Sequence, residues 1–154
     1  MDRRATSCSA SPPTGSSSAR PTPTACTATQ TQVEPGDHAG SVASDDGFVQ
    51  RYWVTVPSTY GRGAVPLYLL LAVGDGDPDV NLPAWKPWFA GVDGLLVVAG
   101  TERTDEGSPS SLAALLDQVE SDYSVDPAQV HVIGASSSAY DAAQFACTSS
   151  GRVA

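Results

Sequence analysis

The residues best placed to do chemistry fall in one run, Val130-His131-Val132-Ile133-Gly134-Ala135-Ser136-Ser137-Ser138-Ala139-Tyr140. Val130–Ile133 reads as a short strand and Gly134–Ser138 as a tight turn. Ala139–Cys147 reads as the start of a helix, with Ala142, Ala143, Phe145 and Ala146 as helix-forming or packing residues. A strand that turns sharply at a serine and enters a helix holds that serine on a strained backbone with its hydroxyl exposed. Small residues are needed two positions to either side, or strand and helix collide. Gly134 fills the first slot and Ser138 the second, where glycine is usual, so the motif is G-x-S-x-S. The chemistry that fits is nucleophilic attack by Ser136 on an acyl carbon, through a covalent intermediate.

A serine at its ordinary pKa is a poor nucleophile and needs a general base. The chain has two histidines. His38 lies in a polar tail, and His131 lies on the strand before the turn, where its ring should meet a sheet face. In folds with this turn the order is serine, acid, histidine. Residues 137 to 154 hold Asp141 and no histidine. Asp141, about one helical turn past the serine, reads as a surface residue. The expectation is therefore a nucleophile-bearing N-terminal half without its acid and base.

Other candidate motifs are weaker. Asp75-x-Asp77-x-Asp79 begins like a calcium loop but lacks its glycine and distal glutamate, so solvated carboxylates are expected. Gly74-x-Gly76 follows a strand, but Asp79 replaces the third glycine and the local acidity opposes a pyrophosphate. Cys8, Cys26 and Cys147 form no CxxC pair or Cys/His cluster, which argues against zinc. Cys8 and Cys26 could pair in an exported protein, and Cys147 reads as a small core residue. No metal or other cofactor is expected.

The elements that must position Ser136 begin near residue 47. Residues 1–46 form a Ser/Thr/Pro-rich tail or linker with too little apolar surface to offset its ordering entropy. Phe48–Val56 reads as an edge strand ended by Pro57, with Gln50, Arg51 and Thr55 on a wet face. Leu67–Val73 and Leu95–Ala99 are unbroken apolar runs, the pattern of strands covered on both faces. Trp85, Trp88 and Phe89 should pack a short helical segment against the sheet. Ser108-Pro109 reads as a helix start, and Leu112, Leu115, Leu116, Val119 and Tyr123 form its apolar stripe. The Val125-Asp126-Pro127 corner ends that helix. Strands alternating with helices imply an α/β class with a mostly parallel sheet and helices on both faces. The reading is a partial domain over residues 47–154.

The formal net charge of -9 argues against nucleic acid or an anionic membrane surface as partner. No apolar run reaches the roughly 20 residues of a membrane-spanning helix. No apolar segment of a secretory signal follows Met1-Asp2-Arg3-Arg4, although the tail resembles material found just after a signal or lipid anchor.

The wider chain resembles the secreted esterase branch of the α/β-hydrolase superfamily, the polyhydroxybutyrate depolymerase and feruloyl esterase-like proteins. Arg51-Tyr52-Trp53-Val54-Thr55-Val56-Pro57 is similar to that branch's opening strand. Pro66–Gly74 is similar to its second strand, Trp85 and Gly94–Ala99 to its next Trp and strand. Tyr123-Ser124-Val125-Asp126-Pro127-Ala128-Gln129-Val130 resembles the lead into its serine turn, and Ala146-Cys147 its following Ala-Cys. The likeness spans roughly residues 47 to 154. It departs at Val73 (usually His), Ser138 (usually Gly) and Gln129 (usually Arg). The resemblance implies an α/β-hydrolase-type sheet and a serine carboxylic ester hydrolase acting on a polyester, a feruloyl or acetyl ester, or a small ester. It implies Ser136 as nucleophile, with oxyanion donors from the Ser137 N–H and from the loop at Gly74 and Asp75. It also implies an extracellular or cell-envelope location. The rival expectation is a non-catalytic, hydrolase-like binding module or a decayed gene product, with Ser136 vestigial.

Overall fold

A computed structural model describes residues 33–45, 47–74, 76–101 and 109–154. Five strands form one sheet: β1 (Gly36–Ala43), β2 (Val49–Val56), β3 (Val65–Leu71), β4 (Leu95–Ala99) and β5 (Val125–Ile133). Their spatial order is β1-β2-β4-β3-β5. β3, β4 and β5 run parallel, while β2 is antiparallel to both β1 and β4. The helices are α1 (Pro78–Trp85), followed by a 3-10 turn over Lys86–Phe89, then α2 (Pro109–Asp122) and α3 (Ser138–Thr148).

The apolar runs behave as their lack of alternation implies. All five residues of β4 are buried, and so are Leu69, Leu70 and Leu71 of β3. Side chains alternate between the two faces. Leu67, Leu69, Leu71, Leu95, Val97 and Ala99 join the α2–α3 core with Leu112, Leu115, Leu116, Val119 and Phe145. Leu70, Leu96 and Val98 meet Leu82 of α1 on the other face, rimmed by half-buried Trp53, Tyr68, Trp85, Phe89 and Ile133.

Several expectations are corrected. Residues 36–43, read as part of a tail ending at 46, form β1, because β2 offers a full edge and an eight-residue antiparallel register from Gly36↔Val56 to Ala43↔Val49. That added strand makes β2 interior, not an edge. Gln50, read as wet, is buried: its amide donates to the Gly100 carbonyl at 2.5 Å and accepts from Ser111 at 3.3 Å. Trp88 stands 79% exposed on the 3-10 turn instead of packing on the sheet. The Val125–Pro127 corner is the start of β5, accommodated by a register shift between Val65 and Leu67. Cys147 is exposed and disulfide-bonded, not a core thiol, because it falls on the outer side of α3 while Ala142 and Phe145 take the inner one. Its partner, the Ser108 cap and Asp75 lie outside the described residues.

Candidate active site

The topology fixes where a ligand would sit. From β3 the chain passes through α1 to β4 on one side. From β5 it enters α3, which packs on the opposite face of the sheet. β3 and β5 are neighbours, so their connections diverge at their carboxyl ends. Open α/β sheets bind ligands at such a switch point, outside the carboxyl ends of the strands. The loop after β3 and the turn after β5 flank it.

The turn carries Ser136 at φ +53, alone among described non-glycine residues in the left-handed region. L-residues pay about 1–2 kcal/mol there, and such strain clusters at functional sites. The tight packing around the turn enforces it. A Cβ on Gly134 would strike the Ser138 carbonyl and come within 2.7 Å of the Ala142 Cβ, so only glycine lets β5 and α3 approach this closely. Ser138, in the second small-residue slot, is 1% exposed. Its hydroxyl lies 2.9 Å from the Ala135 carbonyl and 3.2 Å from the Leu71 carbonyl, which share its one proton, and it accepts from the Ala135 N–H at 3.1 Å. The serine thus ties the turn to the end of β3. Sequence reasoning saw a departure from glycine there and missed this anchor. Ser136 and Ser137 themselves are exposed, and Ser137 is the helical residue at the start of α3.

The facing loop, residues 72–77, is held from two sides. Asn81 of α1 is buried, and its amide accepts from the Val73 N–H at 2.8 Å. The same amide donates to the Val73 carbonyl at 3.1 Å and the Asp77 carbonyl at 2.9 Å. Thr101, just past β4, donates its hydroxyl to the Ala72 carbonyl at 2.8 Å and its N–H to the Gly76 carbonyl at 3.0 Å. Gly74 (φ +73) and Gly76 (φ +80) supply the conformations this turn requires. Neither Asn81 nor Thr101 was singled out from sequence. Their signal would have been polar residues in the first turn of one helix and just past a buried strand.

Asp77 and Asp79, expected as solvated carboxylates, are instead engaged in structure. Asp77 caps α1 by accepting from the Asp79 N–H at 2.9 Å. Asp79 accepts from the Trp53 indole at 2.6 Å and Arg51 at 2.7 Å, and these partners, the indole first, hold its carboxyl below the usual value. Among the described residues no His/Cys/Asp/Glu group is arranged to hold a metal ion.

No base stands by Ser136 among the described residues. His131 stacks on Tyr68 with ring centroids 5.2 Å apart, as its sheet-facing position implied. His38 is on β1, four strand spacings or about 19 Å across the sheet from β5. There its Nε2 lies 2.8 Å from the Glu34 carbonyl. Asp141 is half-buried, not a surface residue, and desolvation raises its carboxyl above the usual value.

Strand order, the antiparallel second strand and the strained serine between β5 and α3 define an α/β-hydrolase fold. Solved structures agree. The chain is similar to a thermostable esterase, with TM-score 0.64 and 14% identity over 77% of this chain and 39% of that one. It is similar to S-formylglutathione hydrolase from Staphylococcus aureus, with TM-score 0.64 and 14% identity over 77% of this chain and 54% of that one. A ferulic acid esterase matches at TM-score 0.55 and 14% identity, over 76% and 55%. At this identity the likeness establishes the fold, and the chain spans 39% to 55% of these structures. No protein-family model matches the sequence, and no curated protein matches it.

Proposed function

We propose that the chain carries the nucleophile-bearing half of a serine carboxylic ester hydrolase. The observation that carries this reading is Ser136 at φ +53 on the strand-to-helix turn, at the carboxyl end of β5 next to β3. The Ser136 hydroxyl attacks the ester carbonyl as the histidine base takes its proton, the carbonyl electrons move to oxygen, and their return expels the alkoxide, which takes that proton to leave as alcohol; the remaining acyl-enzyme is hydrolysed by water to the acid and free serine. The Ser137 N–H and the Gly74–Asp75 loop supply the donors for the oxyanion, each contributing about 3 kcal/mol to the barrier. Substrates are acyl esters: a polyester, a feruloyl or acetyl ester, or a small ester. The reaction requires an acid and a histidine from outside the described residues, since neither His38 nor His131 reaches the serine. Action outside the cell or in its envelope is supported by the disulfide at Cys147, because such bonds persist in oxidising compartments.

A second reading is a non-catalytic scaffold, favoured by Val73 and Ser138, which stand where the esterase branch usually has His and Gly. One experiment separates them: treat the full-length gene product with a fluorophosphonate probe and map the adduct by mass spectrometry. The esterase reading expects a single adduct on Ser136 that Ser136→Ala removes. A folded protein that stays unlabelled would establish the scaffold reading instead.

A further inference from the structure

We propose that Asn81 is a positioning residue for oxyanion stabilisation, acting through the loop after β3. The inference rests on the reading of Ser136 as nucleophile. Asn81 is 4% exposed and uses three of the four hydrogen bonds its amide can make, all of them on the backbone of residues 73 and 77. It grips the Val73 residue by its N–H and its carbonyl together. Thr101 grips Ala72 and Gly76 from the β4 side, and the Gly76 N–H turns back to the Val73 carbonyl at 3.3 Å. The N–H and carbonyl of both Val73 and Gly76, and the Ala72 and Asp77 carbonyls, are thereby taken. The Val73 N–H, occupied by Asn81, is not free for an oxyanion. The Gly74 N–H has no protein partner among the described residues and sits at the exposed turn of the loop.

An oxyanion donor acts only when held in place before charge develops. A displacement of about 1 Å in a catalytic group can lower a rate on the order of 10²-fold. An amide suits this position because one end accepts while the other donates twice. A carboxylate would keep the contact to the Val73 N–H but face two carbonyls without a proton to offer. A leucine would fill the space, leave the Val73 N–H without its acceptor, and leave the Val73 and Asp77 carbonyls only their backbone donors, the N–H groups of Gly76 and of residue 81.

The test uses the full-length gene product and p-nitrophenyl acetate. Asn81→Leu is expected to lower kcat on the order of 10²-fold with KM changed less than about twofold. Asn81→Asp should fall between it and the parent. Thr101→Val, which removes the hydroxyl contact from the opposite side, should show the same split with a smaller loss. Hydrogen exchange at Val73 should quicken in the Asn81 variants while Leu69 and Val97 keep their protection. If Asn81→Leu does not fold, Asn81→Asp and Thr101→Val decide. Faster exchange at Val73 with unchanged kcat overturns the proposal, as does a kcat that falls only with the folded fraction. A parent protein that never acylates Ser136 overturns the esterase reading itself, and that failure shows in the parent, not in the variants.

Discussion

On the face of the sheet covered by α2 and α3, Phe145, Leu67, Leu69, Leu71, Leu95, Leu115, Leu116 and Val119 are all at most 1% exposed. On the face covered by α1, the buried apolar cluster among the described residues is Leu70, Leu82, Leu96 and Val98, and Trp53, Tyr68, Trp85, Phe89 and Ile133 remain half-open around them. A cavity of about 630 Å³ lies there between the 3-10 turn, the Gly91–Gly94 loop and the start of β4. The serine turn belongs to the first face. Gly134 packs against Ala142, and α3 is anchored by Phe145, so the strain at Ser136 is held by the better-packed side. The facing loop is held from the other side by polar contacts instead: Asn81 and Thr101 do with hydrogen bonds what α3 does with apolar packing. A strained backbone persists only when its surroundings over-determine it, and the molecule places its strain accordingly.

The difference predicts unequal costs of truncation. Phe145→Ala should destabilise by about 4 kcal/mol, since the surrounding core of two helices and three strands cannot collapse into the void. Leu82→Ala should cost about 2 kcal/mol, at the low end for its type, because its face is half-open and relaxes more readily. Denaturant midpoints measured at a common slope would show the gap, and equal costs would mean the two faces are equally rigid. Ser136→Gly is a smaller test of the same contrast. Glycine releases the left-handed strain but adds chain entropy, leaving a net gain of about 0.5 kcal/mol. A loss of stability in that variant would show that the serine side chain, not the packing around α3, holds the turn.

Much of this was legible in the sequence, and the misses have physical causes. The apolar runs of β3 and β4 announced a sheet covered on both faces, and Gly134-x-Ser136 announced the turn, because each depends on neighbours in the chain. β1 was not legible: Gly36–Ala43 has little apolar content, and only pairing to β2 makes it a strand. Gln50 was misread for a related reason. Its burial depends on Gly100 and Ser111, fifty and sixty-one residues away. Asn81 shows the same limit at the site. A lone asparagine in a short helix carries no signal until the fold brings the Val73 peptide against it.

Asp141 offers the finest probe of how dry the serine side of the sheet is. It sits in the first turn of α3, where the helix N-terminus favours a carboxylate. Desolvation by burial raises its pKa above the ordinary value of 3.8. The sign follows from linkage. The folded state holds this proton more tightly than the unfolded chain, so stability falls as pH rises from the unfolded pKa through the raised folded one. At neutral pH the folded protein therefore carries a charged group it disfavours. Asp141→Asn should raise the melting temperature slightly at pH 7, by about 1 °C, and the gain should vanish below about pH 3.5, where both states are protonated. A variant less stable than the parent at pH 7 would mean that the helix end wins, and that the serine side is wetter than its packing indicates.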